Sequence, residues 1–343
     1  MKIQIKTSLI GREEEFKIIE LARTLSRPIL LIGPPGVGKT NLVLDYFKSA
    51  TVNPTIDDTF ILETDESTPS SSIKGHVDME VLMTQNKFCM NSPITKAKCI
   101  LINEIDKAST MVRDSLLGIM NERVLFMGDE KIPCDWDLFV GTCNTIQKSE
   151  RHSPLLDRFI IKHEVSRLTS NQMMQYFEKG GREFSNLVEI NCADPDSMKR
   201  IKVPKEKLRV YIDLFIETVS NRTISYTEEM IKAVSCIWGL ENNLDAAMIK
   251  TAEIMISREA ALQLMQSLYS ELQQDILSKL ELLALEQSPA IKKTGIAEIN
   301  QLLKKYKSNK KFSPEFVDSI LIQLEALTNN RLGSLMAVTP SLN

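Results

Sequence analysis

Gly33-Pro34-Pro35-Gly36-Val37-Gly38-Lys39-Thr40 has the pattern G-x-x-x-x-G-K-T, in which a glycine-rich turn offers successive backbone N–H groups to a polyphosphate. Glycines 33, 36 and 38 would let the backbone curl, and the dipole of a following helix would favour the negative charge. In that chemistry Lys39 reaches the β- and γ-phosphates and the Thr40 hydroxyl ligates Mg²⁺. A second group of polar residues closes the apolar run Lys98-Cys99-Ile100-Leu101-Ile102, namely Asn103 and Glu104. The first of these positions commonly holds an aspartate that orients Mg²⁺, and the next a glutamate that polarises the attacking water. Asn103 is neutral, so its amide oxygen contacts a metal-bound water without contributing charge, which lowers Mg²⁺ affinity or turnover. Glu104 stands in the catalytic place, with a capping acid at a strand end as the alternative. Asn144 follows the apolar run Leu138-Phe139-Val140-Gly141-Thr142-Cys143, either as a simple turn former or beside the γ-phosphate and its water. Arg158, between Leu156-Asp157 and Phe159, reads by itself as a surface charge or salt-bridge partner.

These residues need strands that end together. Pro28-Ile29-Leu30-Leu31-Ile32 is a short buried strand, and the helix after the glycine loop carries apolar positions 42, 43, 46 and 47. Leu9-Ile10-Gly11-Arg12 precedes an amphipathic helix over Glu13 to Ala22, with acids in its first turn. Thr59 to Glu63 is a further strand that opens into a polar loop, the place where doubly wound α/β sheets keep ligands. Val77 to Val81 is able to pair in a small hairpin. Ser109 or Thr110 caps a helix with the stripe Val112, Leu116, Ile119 and Met120, and Gly128-Asp129 turns a second hairpin. Gly180-Gly181 and the polar run from Asn191 to Lys205 read as a loop or insertion, with Cys192 to Asp196 as turn chemistry. Helices follow over Ala260 to Leu285, Ile296 to Tyr306 and Pro314 to Leu327, with a basic cluster at Lys304, Lys305, Lys307, Lys310 and Lys311 and a frayed tail at Thr339 to Asn343.

The totals describe an ordinary globular chain: 343 residues, 43% hydrophobic and 25% charged. A formal net charge of −3 argues against sequence-blind attraction to nucleic acid. The six cysteines form no Cys-x-x-Cys pair and read as reduced thiols of a cytoplasmic protein. The three histidines lie apart without further ligands, so no zinc site is expected. The first six residues alternate polar and apolar without a signal-type segment, and no apolar run is long enough to span a bilayer.

Over roughly residues 8 to 260 the order and spacing of these segments resemble the AAA+ ATPases, and within them the MoxR family. The resemblance rests on the phosphate loop, on Pro69, Ser72-Ile73 and Gly75, and on Ile102 to Ala108 as the Walker B strand. It also rests on Met120 to Arg123 before the second hairpin, Thr142-Cys143-Asn144 as sensor 1, and Leu156 to Phe159 as the arginine-finger region. It implies a three-layer αβα P-loop sandwich over residues 1–167 and an all-helical lid over 168–259, with its loop or insertion at about 180–205. A helical C-terminal extension over 260–343 completes the implied division. It further implies ATP and Mg²⁺ as cofactors, with Ile10, Gly11 and Asn41 joining the nucleotide-binding residues. Residues 73 to 94 resemble the family's helix 2 insertion. Arg158 would complete a neighbouring subunit's site, which implies a ring, typically a hexamer. The family's sensor 2 arginine falls at Asn242-Asn243-Leu244-Asp245, so Lys250 is taken for that role, with Arg258 further along. Remodelling or maturation of a protein client, often with a von Willebrand factor A-domain partner, is the implied activity. Two alternatives stand beside it: a nucleotide-gated scaffold with little hydrolysis because of Asn103, and a DNA-directed motor resting on Lys131 near the hairpin tip.

Overall fold

The computed structural model describes residues 2–49, 58–77, 83–84, 90–127, 130–146, 154–178, 185–268, 276–280, 282–283, 289–307, 320–321 and 324. The chain divides into two compact units, Met1–Cys192 and Ala193–Asn343. The strands of the first unit are β1 (Lys2–Thr7), β2 (Ile29–Ile32), β3 (Thr59–Glu63), β4 (His76–Val77), β5 (Met90–Asn91) and β6 (Cys99–Asn103). They continue as β7 (Val124–Met127), β8 (Glu130–Pro133), β9 (Leu138–Cys143), β10 (Ile161–Glu164) and β11 (Asn186–Asn191).

Five of these form a parallel sheet in the order β10-β2-β9-β6-β3. Its central strand β9 is buried at every residue, and Ile29 to Leu31 and Cys99 to Ile102 are buried without alternation. Continuous burial is what a parallel sheet covered on both faces demands. Helix Lys39–Ser49 covers it with Leu42, Val43, Tyr46 and Phe47, and helix Thr110–Asn121 with Val112, Leu116, Ile119 and Met120, the stripes that spacing predicts. Ser109 precedes the latter helix without a side-chain cap bond; its hydroxyl donates instead to the Thr68 carbonyl at 3.2 Å. Because Ile32 lies opposite Cys143 and Glu63 opposite Asn103, the carboxyl ends of four neighbouring strands open at one edge. That edge is where a doubly wound sheet places its ligand.

Two small hairpins leave this frame. Val77 of β4 pairs with Met90 of β5, and most of the expected partner run, residues 78–82, lies outside the described residues. β7 pairs with β8 on either side of residues 128–129, which also lie outside them.

Residues 180–184, with Gly180-Gly181, lie outside the described residues, and the rest of the stretch at about 180–205 departs from its reading as a loop or insertion. It holds β11 and a helix, Pro195–Arg200. β11 pairs antiparallel with β1, Lys2 against Asn191 through Thr7 against Asn186, so residues up to 191 pack with the sheet unit. Val188 and Ile190 point inward with Ile3 and Ile5, while Leu187 and Glu189 face out. Asp194 is a helix cap rather than a free turn: its carboxylate accepts from the Asp196 and Ser197 N–H groups, with Pro195 at the first helical position.

Among its described residues the second unit is all-helical, with Lys205–Phe215, Asn221–Ser225, Thr227–Trp238, Leu244–Met255, Arg258–Leu268 and Pro289–Lys307 after the helix at Pro195. The last begins ahead of the expected start at Ile296. Of the helix expected at Pro314 to Leu327 only residues 320, 321 and 324 are described, all helical, and Lys310, Lys311 and the tail lie outside. Cys99, Cys134, Cys143 and Cys236 are buried thiols outside any disulfide and Cys192 is half-buried; Cys89 lies outside the described residues. No helix among the described residues is long and apolar enough to cross a membrane.

Candidate functional site

β2 runs into the glycine loop, and the helix starting at Lys39 carries the chain away. Gly36 and Gly38 have φ of 82° and 88°, a region open to glycine at little cost. Gly33 serves differently from its reading as a turn residue. Its φ is not positive, and a Cβ there would fall 2.4 Å from the Val165 carbonyl, so it permits close approach of the chain leaving β10. Lys39 is buried, and its ammonium donates to Gly33 O at 2.6 Å, Pro34 O at 3.1 Å and Asn144 Oδ1 at 3.1 Å. Burial holds its pKa below the usual lysine value, against the opposing pull of Cys143, Glu104 and Asp106.

At the end of β6, Asn103 Oδ1 accepts from two hydroxyls, Thr40 Oγ1 at 3.2 Å and Thr142 Oγ1 at 3.1 Å. Glu104 then adopts a left-handed backbone, φ 54° and ψ 42°. For a residue with a Cβ this costs roughly 1–2 kcal/mol and needs support from its surroundings. Buried Thr64 supplies it, its one hydroxyl hydrogen shared between the carbonyls of Asn103 at 2.9 Å and Glu104 at 2.8 Å. Thr142 adds to it by accepting the Glu104 N–H at 3.3 Å. The Glu104 carboxylate accepts from Asn144 Nδ2 at 3.4 Å through one oxygen and from the Lys107 ammonium through the other. Lys107 above all, then Asn144 and Lys39, hold its pKa below the ordinary carboxylate value against burial, so it is ionised at neutral pH.

These groups line one cavity of about 410 Å³. The glycine loop and its helix contribute Pro35, Gly36, Gly38, Lys39, Thr40 and Asn41; the strand ends contribute Glu63, Asn103, Glu104, Thr142 and Asn144. Gly33, Pro34 and Val37 belong to the loop but not to this lining. Ile10 and Gly11 lie outside it too: Ile10 is buried and Gly11 packs on Gln172. Arg158 is in the same unit but outside the lining, its guanidinium 3.2 Å from Asp157. Lys250 belongs to the second unit, where it pairs with Glu253 at 3.0 Å and sits 5.8 Å from the Trp238 ring centroid.

Sequence reasoning named Thr142 only within the sensor 1 segment, without a role, and missed Glu63 in the lining, Thr64 behind it, and Arg12. Arg12 is buried; it pairs with Glu15 at 2.7 Å and donates to the carbonyls of Val37 at 3.3 Å and Ser166 at 2.8 Å. It thereby ties the glycine loop to the chain after β10. The signal available for it was Glu15 at the matching i,i+3 position.

Residues 1–201 match the sequence model of the MoxR domain in the MoxR-vWA-beta-propeller ternary systems. The chain belongs to the MoxR family of AAA+ ATPases. Among curated proteins, this MoxR chain is similar to structural protein ORF618 of Acidianus two-tailed virus, 27% identical over 46% of this chain and 26% of that protein. The chain thus spans about a quarter of that relative's length. The uncharacterized protein MJ0812 of Methanocaldococcus jannaschii is 23% identical over 71% of this chain and 68% of its own. Among solved structures, an inferred ATPase of Cytophaga hutchinsonii aligns with a TM-score of 0.48 and 17% identity, over 75% of this chain and 80% of that one.

The MoxR site's own donors fit a magnesium-bound triphosphate. A buried ammonium bonded only to neutral oxygens can turn to phosphate oxygens, and two positive-φ glycines shape the loop. The Thr40 hydroxyl and Asn103 amide oxygen are hard oxygen donors of the kind Mg²⁺ takes beside its waters.

Proposed function

We propose that this MoxR protein binds ATP with Mg²⁺ and hydrolyses it within a homo-oligomeric ring, a hexamer, using the cycle to remodel or help mature a protein client. The observation that carries the reading is the unbroken hydrogen-bonded series Lys39–Asn144–Glu104, set in the cavity beside Thr40 and Asn103. Lys39, with the loop from Gly33 to Thr40 and Asn41, holds phosphate. Thr40 takes the metal, with Asn103 behind it. When bound, Mg²⁺ would offset charge building on the transferred phosphoryl group.

Glu104 polarises the attacking water and accepts its proton, and Asn144 positions that water. Arg158 acts on the neighbouring subunit's site; its place outside the lining of its own cavity supports that role. Lys250 reports nucleotide state from the helical unit. The exposed side chains of Met83, between β4 and β5, and Phe126, on β7, support client contact by the two hairpins. The matched domain's ternary systems support a partner with a von Willebrand factor A domain. The cysteines outside any disulfide support a cytoplasmic location.

Asn103 favours a second reading, a nucleotide-gated scaffold with little turnover. Steady-state ATPase rates of the native protein, Asn103→Asp and Glu104→Gln, with solution mass in nucleotide, separate the two. Native turnover that Glu104→Gln abolishes, in a species of hexamer mass, supports hydrolysis in a ring. Native silence with turnover in Asn103→Asp supports the scaffold. A strict monomer with ATP and Mg²⁺ removes Arg158 from the mechanism.

A further inference from the structure

We infer that Lys107 is a positioning residue that restrains the Glu104 carboxylate, and that releasing Glu104 from it raises turnover. The inference rests on the hydrolytic reading above and adds a brake to it. Glu104 has two carboxylate oxygens and both are engaged: one by Asn144 Nδ2 at 3.4 Å, a long bond, and the other by the Lys107 ammonium. The tether is short. Lys107 ends the one-turn segment Ile105–Lys107, and its own N–H bonds to the Glu104 carbonyl at 2.8 Å. That turn folds the lysine side chain back onto the acid. Thr64 and Thr142 meanwhile fix the Glu104 backbone from which the carboxylate is presented to Lys107.

A base that must take a proton from water works poorly while its better-bonded oxygen is occupied by a cation. The restraint is nevertheless releasable. The side chains of Lys107 and Glu104 are 50% and 31% exposed, and pairs so open to solvent are weak. Glu63, which also lines the cavity, and Asp106 act on the Lys107 charge as well, which gives the freed ammonium other acids to face. An acidic group of a partner engaging Lys107 from solvent would release the brake in the same way.

The experiment compares native protein, Lys107→Met and Lys107→Arg in steady-state hydrolysis of Mg·ATP. Lys107→Met is expected to raise kcat about threefold with KM unchanged, the scale of an exposed ion pair, while Lys107→Arg stays at the native rate. A readout independent of turnover is acylation of Lys107 by a limiting amine-reactive ester in protein without nucleotide, followed by mass spectrometry. Reactivity is expected to rise in Glu104→Gln, where the ammonium loses its anion. Native turnover that Lys107→Met leaves level or lowers overturns the inference alone, as does unchanged acylation in Glu104→Gln. Silence of native and Lys107→Met proteins alike overturns the hydrolytic reading and the brake together. Turnover appearing only in Lys107→Met supports the brake in its strongest form.

Discussion

Replacing Asn103 by aspartate changes charge and almost nothing else. Its Oδ1 accepts from Thr40 at 3.2 Å and Thr142 at 3.1 Å, and a carboxylate of the same shape keeps both hydroxyl donors. The new charge acts on whatever cation sits beside Thr40. A hydrogen bond between neutral groups contributes about 1 kcal/mol net, and one to an ionised group about 2.4 kcal/mol. The difference, roughly 1.4 kcal/mol, is a factor of about ten in affinity. Calorimetric titration with a non-hydrolysable ATP analogue should therefore show Asn103→Asp binding about tenfold more tightly than native protein when Mg²⁺ is present. In EDTA the same substitution should leave binding unchanged or weaken it, because the added charge then faces phosphate without a metal between them. Equal tightening with and without Mg²⁺, or none with it, would refute the placing of Asn103 behind the metal.

Thr64→Val should cost about 1 kcal/mol in urea unfolding, because the two carbonyls it leaves keep other donors: Thr64 N–H for Asn103 at 3.0 Å and Lys107 N–H for Glu104 at 2.8 Å. Thr64→Ser should recover that loss, and a cost well above about 3 kcal/mol would contradict the assignment. Burial pushes the thiols of Cys99 up to about 12 and of Cys134 and Cys192 up to about 11. Unfolded thiols ionise near 8.5, so above that pH the unfolded chain binds fewer protons than the folded one. This contribution is present in full below the unfolded pKa and is lost as pH rises towards the folded values. Urea midpoints should fall between pH 8 and 10, and fast labelling of Cys99 in folded protein at pH 8 would contradict it.

The parts of the site that the sequence made legible are those whose residue types are unusual for their place. Glycines spaced before a lysine suit a phosphate-holding turn, and two polar residues closing an apolar strand suit a ligand-holding edge, with a capping acid as the alternative for the second. The hydroxyl roles of Thr64, and of Thr142 within its sensor 1 segment, were not legible because threonine at a strand end is an ordinary β-former, and its second use depends on a strand far away in sequence. Lys107 entered only as one residue of the Walker B segment Ile102 to Ala108, with no role of its own. β11 was hidden by its own shortage of signal: it offers only two inward residues, Val188 and Ile190, and its partner β1 begins at Lys2. Gly33 was assigned a turn because its neighbours in the motif need one, whereas its own constraint comes from Val165, across the sheet edge.

The proposed roles of Thr40, Asn103, Glu104, Asn144 and Arg158 all require that Lys39 grip a triphosphate. Its ammonium lies 3.1 Å from Asn144 Oδ1 and 2.6 Å from the Gly33 carbonyl, in the cavity that Thr40 and Glu104 also line. Removing a charged donor of this kind costs about 3 kcal/mol of binding. Equilibrium titration of folded Lys39→Ala with a fluorescent ATP analogue and Mg²⁺ should show affinity about a hundredfold below that of native protein. Affinity equal to native would contradict the assignment of this loop as the phosphate site.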